Sequence, residues 1–204
     1  MTNKLASTVH AFIDLRSPYS YLSLAPARKL AKSTGTTFIW QPYITDFRSA
    51  YGGEVEERSS RDIAKLKYLY MDCRRLAKAQ DLNIRPTTKL WNAELASKAM
   101  LFANTKEKLW EFLIPCLEAF WQREFDLESL EAIDSAIQNA GMDLKKWHAY
   151  LEMYAQEDLE RALELADTLG VFGAPTFVYQ EELFWGTDRI DLLEQKIRNP
   201  GPDY

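Results

Sequence analysis

The feature that most constrains this chain is a change of hydrophobic period that happens twice. Strand-like runs occur only near its two ends, and about a hundred residues between them follow a helical period. Val9 to Asp14 reads as a short buried strand. Ser17 and Pro18 then supply an N-cap and a proline at the first helical position. A helix is therefore expected through Tyr21, Leu22, Leu24 and Leu30 to Lys32, with Gly35 as its breaker. Thr36 to Tyr43, rich in β-branched and aromatic residues, is a second strand. Strand, helix and strand in that order favour a parallel pair with a right-handed crossover.

The middle is helical from Arg61 to Ala166. Leu66, Leu69, Tyr70, Cys73, Leu76 and Ala77 share one face, and Leu109, Leu113, Leu117, Phe120 and Trp121 form a second stripe. Asn83-Ile84-Arg85-Pro86 and Asn139-Ala140-Gly141 are breaks. Asp158 to Leu169 makes a further helix with Gly170 as its C-cap. Ala174 to Tyr179 is again a strand, Gln180-Glu181-Glu182 a turn, and Leu183-Phe184-Trp185 the returning strand of a hairpin. Gly186-Thr187-Asp188 caps a last helix from Arg189 to Arg198. This order implies an α/β chain with a thioredoxin-like fold (βαβ…αββα) interrupted by a large all-helical insertion. The expected boundaries put residues 1–45 and 158–204 in the thioredoxin-like domain and 46–157 in the insertion.

Composition removes several classes of function. A net charge of −5, with basic and acidic residues mixed as in Arg58-Ser59-Ser60-Arg61-Asp62, argues against a nucleic-acid partner. No apolar run reaches the roughly 18 residues that span a bilayer, so no membrane partner is expected. Met1 to Ala6 lacks a hydrophobic signal segment, and the two cysteines, Cys73 and Cys116, make neither a metal-ligand spacing nor a disulfide framework. The expected compartment is the cytoplasm. With only two histidines, His10 and His148, a histidine-based hydrolytic engine or zinc site is hard to assemble.

Three separated stretches carry the chemistry. Ser17-Pro18-Tyr19-Ser20 stands where a thiol–disulfide enzyme of this fold would carry Cys-x-x-Cys, at a strand-to-helix junction whose backbone N–H groups favour negative charge. Gly173-Ala174-Pro175-Thr176 supplies the proline before the third strand, characteristically cis in this fold, with Ala174 offering an unpaired backbone N–H and C=O beside Ser17. Gly186-Thr187-Asp188-Arg189 is a polar cluster at the last helix.

Together, Asp14-x-x-Ser17-Pro18-Tyr19-Ser20-Tyr21-Leu22, Gly170-Val171-Phe172-Gly173-Ala174-Pro175-Thr176-Phe177 and Phe184-Trp185-Gly186-Thr187-Asp188-Arg189 resemble the 2-hydroxychromene-2-carboxylate isomerases. Those are relatives of kappa-class glutathione transferases in the DsbA-like branch of the thioredoxin fold. The resemblance implies a glutathione cofactor laid along the cis-proline edge. Ser17 is then the catalytic residue, its hydroxyl on the glutathione sulfur. Ala174 and Pro175 would face the cysteinyl unit, and Thr187 and Asp188 would hold the γ-glutamyl end. Members often carry Asn-Arg-Asp before the first inserted helix; this chain has Ser60-Arg61-Asp62, so Ser60 takes the asparagine's place with one shorter donor. The implied partners are glutathione, a small aromatic substrate and a second copy of the chain in a homodimer.

Energetics are compatible with that role. A free thiol has a pKa of about 8.5, and lowering it by two units takes roughly 2.7 kcal/mol. A hydrogen bond to a charged group supplies about 1.5–3 kcal/mol and a helix N-terminus about 0.3–1 more. The implied reaction is a cis/trans isomerisation by reversible thiolate addition. A kappa-class-like transferase or peroxidase is the alternative at the same site, and a non-catalytic glutathione-binding module the alternative of another class.

Simpler roles stand beside these. Ser17 suffices as an N-cap, Pro175 as a turn former and Asp188 as the N-cap of the last helix. Cys73 and Cys116 lie on or beside apolar stripes and read as core. His10 and His148 read as structural. Tyr68, Trp91, Trp110, Trp121 and Trp147 read mostly as core, and Glu56-Glu57 and Glu181-Glu182 as solvated loop charges.

Overall fold

The computed structural model describes residues 8–47, 50, 52 and 58–199. It divides into two compact units, Met1–Tyr43 with Ala162–Tyr204 and Ile44–Arg161.

The first unit is built on a four-stranded mixed sheet. Its strands are β1 (Thr8–Ile13), β2 (Thr37–Pro42), β3 (Thr176–Tyr179) and β4 (Glu182–Trp185), in the order β2-β1-β3-β4. β1 runs parallel to β2, and β3 is antiparallel to both β1 and β4. Helix α1 (Pro18–Thr34) is the crossover, capped by Ser17 at its start and by left-handed Gly35 (φ 69°) at its end. Val9, Ala11, Phe12 and Ile13 of β1 are fully buried, and they alternate between the two faces of the sheet. On one face Phe12 and Val178 pack with Ala166 and Val171. Phe177 meets Phe38 and Trp40 edge-on, with centroids 6.2 and 6.3 Å apart.

The second unit holds α2 (Ser60–Lys78), α3 (Glu94–Thr105), α4 (Leu109–Gln122), α5 (Leu130–Asn139) and α6 (Leu144–Met153), and α7 (Ala155–Thr168) leads back toward β3. Leu69, Cys73 and Ala77 are buried on α2, and Leu109, Leu113, Leu117, Phe120 and Trp121 on α4, as the period requires. Phe102, Trp147 and Tyr150 form an aromatic cluster, with Phe102 5.6 Å from Trp147 and 5.3 Å from Tyr150. Trp147 donates its indole N–H to Asp134 at 2.8 Å, and His148 meets the other carboxylate oxygen at 2.8 Å.

Several boundaries differ from the sequence expectation, each for a local reason. α7 starts at Ala155, not Asp158, directly after the end of α6. It closes through Val171 N–H to Ala166 C=O and Gly170 N–H to Asp167 C=O. The hairpin loop is two residues, Gln180 and Glu181, both left-handed (φ 51° and 65°), and Glu182 belongs to β4. After Gly186 comes a 3₁₀ turn (Thr187–Arg189), and the last helix, α8 (Ile190–Arg198), begins one residue later than expected. Tyr68 is 58% exposed rather than core, while Trp121 and Trp147 are fully buried. Glu181 is exposed; Glu182 pairs with Lys196 at 3.2 Å. Glu56 and Glu57 lie outside the described residues. No helix among the described residues is long and apolar enough to cross a membrane.

Candidate functional site

Ser17 owes its position to the junction between β1 and α1. Its side chain accepts the Ser20 N–H at 3.3 Å, and its carbonyl takes the first helical hydrogen bond, from Tyr21 at 3.1 Å. Pro18 at the first helical position has no N–H to leave unpaired. The Ser17 N–H donates to the Asp14 carbonyl at 2.9 Å, closing a tight turn.

Across the sheet, the Ala174–Pro175 peptide bond is cis. The Ser17 hydroxyl, besides capping, donates to the Ala174 carbonyl at 3.4 Å, so that carbonyl is engaged, although over a long distance. Thr176 is buried and ties its hydroxyl to the Gly173 carbonyl at 2.7 Å, which braces the loop. The Gly186 N–H donates to the Pro175 carbonyl at 2.9 Å. Gly186 holds φ 113°, a conformation that residues with a side chain rarely adopt, so glycine suits the turn. The structure thus links Ser17, Ala174, Pro175 and the 186–189 turn by hydrogen bonds along one line.

Asp188 is exposed and pairs with Arg189 at 3.1 Å. It is not the N-cap of α8: Arg189 occupies that position, with no side-chain capping bond. Thr187 opens the 3₁₀ turn and is half-buried. Ser60 belongs to the other unit. It is the exposed first residue of α2, and Ser59 rather than Ser60 caps that helix. The Ser59 hydroxyl holds the Asp62 carboxyl below its usual range, through a hydrogen bond of 2.5 Å. Cys73 and Cys116 are buried and form no disulfide, and burial pushes the Cys116 thiol up to about 12.

Three neighbours of Ser17 that have no evident chemistry in the sequence hold it in place. Asp14 and Arg16 form an ion pair at 2.7 Å under the turn. Ser20 is buried, and its hydroxyl accepts the Asp14 N–H at 3.2 Å. The Asp-x-Arg spacing is a sequence signal for the first two, since Asp readily accepts a backbone N–H two residues on. Phe172 and Trp185, 64% and 54% exposed, meet edge-to-face at 4.8 Å beside Gly173. Among the described residues no cluster of ligating side chains suits a metal ion.

The DSBA-like thioredoxin domain family matches residues 8–198. The chain belongs to the DsbA-like thioredoxin family. Curated relatives include a 2-hydroxychromene-2-carboxylate isomerase of Sphingobium xenophagum, 24% identical over 95% of this chain and 99% of that protein. One of Pseudomonas putida is 27% identical over 93% of each. Among solved structures, a 2-hydroxychromene-2-carboxylate isomerase superposes with a TM-score of 0.76 at 23% identity, covering 94% of both chains. A probable DsbA oxidoreductase of Streptomyces coelicolor gives 0.71 at 17%, covering 97% of this chain and 93% of that one. Thiol–disulfide members of this fold use a cysteine pair; at the corresponding helix start this DsbA-like chain has Ser17 and Ser20. The donor set suits a thiol-bearing peptide: a hydroxyl at a helix start, a peptide edge at Ala174 and an exposed carboxylate at Asp188.

Proposed function

We propose that this protein is a glutathione-dependent isomerase of the 2-hydroxychromene-2-carboxylate type. The observation that carries the reading is the Ser17 hydroxyl at the start of α1, 3.4 Å from the carbonyl that precedes the cis-proline. The names of the curated relatives support the reaction class.

When bound, glutathione would supply a thiolate able to add reversibly to a C=C conjugated with a carbonyl, the chemistry that a cis/trans isomerisation needs. Ser17 turns its hydroxyl from the Ala174 carbonyl to the sulfur and stabilises negative charge there, helped by the α1 N-terminus. The exchange is favourable because a long neutral hydrogen bond gives way to a charge-assisted one. Ala174, freed from Ser17, pairs with the peptide backbone of the ligand. Asp188 would accept from its ammonium group, and Thr187 would add a neutral hydrogen bond. Pro175 keeps the loop in register with Ser17. Holding sulfur and alkene together contributes by proximity, and Ser17 acts as the sulfur enters and leaves.

Calorimetry with glutathione, followed by a spectroscopic assay on a hydroxychromene carboxylate, tests this. Saturable binding and interconversion of the two isomers without net consumption of glutathione are expected. Binding without turnover would leave a glutathione-binding module, and consumption of glutathione would point to a transferase. No binding at millimolar glutathione rejects the reading.

A further inference from the structure

Asp14 makes an unusual number of hydrogen bonds to the residues just after it. Its carboxylate is fully buried. Oδ1 accepts the Arg16 backbone N–H and the Arg16 Nε–H, both at 2.9 Å, and Oδ2 accepts from Nη2 at 2.7 Å. Its carbonyl receives the Ser17 N–H at 2.9 Å, and its own N–H donates to Ser20 Oγ at 3.2 Å. Residues on both sides of the Ser17 hydroxyl are therefore tied to Asp14.

The placement carries an electrostatic problem. A buried carboxylate three residues from Ser17 opposes negative charge there, because the low dielectric screens it poorly. Arg16 answers it with a two-pronged contact, its side chain only 9% exposed. Asp188 and Arg189 pair with each other in solvent, the stretch 171–176 carries no ionisable side chain, and Arg28 and Lys29 lie further along α1.

We propose that Asp14 and Arg16 are positioning residues that form a charge-balanced brace: Asp14 fixes the turn that presents Ser17, and Arg16 cancels the field of Asp14 at that hydroxyl. The link to glutathione sulfur rests on the function proposed above, but the brace can be tested without it.

Ser17→Cys puts a thiol at the hydroxyl's position, and its pKa is read from thiolate absorbance against the Ser17 parent, which contains the same two buried cysteines. In that background Arg16→Gln removes a positive charge beside the thiol and should raise its pKa by about one unit, while Asp14→Asn removes a negative charge and should lower it by about one unit. The double variant should return close to the starting value. Arg16→Lys, which keeps charge but not the fork, should shift it far less than Arg16→Gln. Shifts of the same sign in both single variants are the pattern of a loosened turn and overturn the proposal. If Asp14→Asn does not fold, equal shifts in Arg16→Lys and Arg16→Gln overturn it instead. Should the Ser17→Cys series follow the expected order while glutathione bound to the same variants with Ser17 retained does not, the brace stands and the glutathione reading falls.

Discussion

Removing one oxygen from Ser17 separates its observed capping role from the sulfur contact proposed for it. Ser17→Ala deletes the acceptor for the Ser20 N–H and the donor to the Ala174 carbonyl, contacts of 3.3 and 3.4 Å. Both are longer than the 2.7–3.0 Å usual for strong bonds of these types, so neither contributes its full value. The loss of folding stability should stay near the low end for an N-cap, about 0.5–1 kcal/mol, with Pro18 still starting the helix. For a chain of this size that is a fall in Tm of about 2–4 °C or less. The effect on a bound thiolate is larger, because a hydrogen bond to a charged group is worth about 1.5–3 kcal/mol, or roughly 1–2 units in its pKa. The assay is ultraviolet absorbance of glutathione-loaded protein titrated from acid to alkaline pH, beside a thermal melt. Ser17→Ala should shift the titration upward by at least one unit while the melt barely moves. Superimposable titrations would show that Ser17 is a helix cap and nothing more. A large drop in Tm with no shift would refute the reasoning from bond lengths as well.

Three further perturbations test the scaffold. Gln180 and Glu181 occupy left-handed positions that favour Asn and Gly in a two-residue hairpin loop, so Gln180→Asn with Glu181→Gly should add about 1 kcal/mol, and an unchanged or lower Tm refutes that turn. Burial, and then the 2.7 Å hydrogen bond to Asp158, push the Tyr150 phenol above its ordinary pKa of 10.0. Above that pH the unfolded chain loses the proton first and the folded state binds more protons. Stability should therefore fall as pH rises, by up to about 1.4 kcal/mol per unit, and Tyr150→Phe should flatten the fall in urea melts. Cys73 and Cys116 are buried, so a thiol reagent should modify neither in the native protein and both after denaturation; labelling without unfolding contradicts their packing.

The parts legible in the sequence are those decided within a few residues. Ser17-Pro18 starts α1 and Gly35 stops it because a cap, a ring-fixed φ and a left-handed residue act locally. The stripes of α2 and α4 are legible because one face of each must be buried. The start of α8 was not, because Asp188 has the residue type of a cap, but the turn around it is set by Gly186 N–H reaching the Pro175 carbonyl, a contact between distant strand ends. The short hairpin was hidden for a similar reason. Gln180 and Glu181 carry no turn signature, and the register is fixed by pairs such as Phe177 with Phe184. Tyr68 has the chemistry of a core residue, yet it sits on the uncovered side of α2, which periodicity alone leaves open.

At the site the same division has a chemical consequence. Ser-x-x-Ser presents two hydroxyls on equal terms, and only the fold distinguishes them. Ser20 is buried and its oxygen is committed to the Asp14 N–H, whereas Ser17 is half-buried and its hydroxyl is shared between two long contacts. In a cysteine-pair enzyme the second sulfur resolves the first; here the second side chain is part of the turn and cannot reach an incoming group without breaking it. One hydroxyl remains to act, and a hydroxyl cannot form a disulfide. On the function proposed above, a sulfur arriving at Ser17 would be held by hydrogen bonding alone and would be free to leave again, which reversible addition requires and thiol–disulfide exchange does not allow.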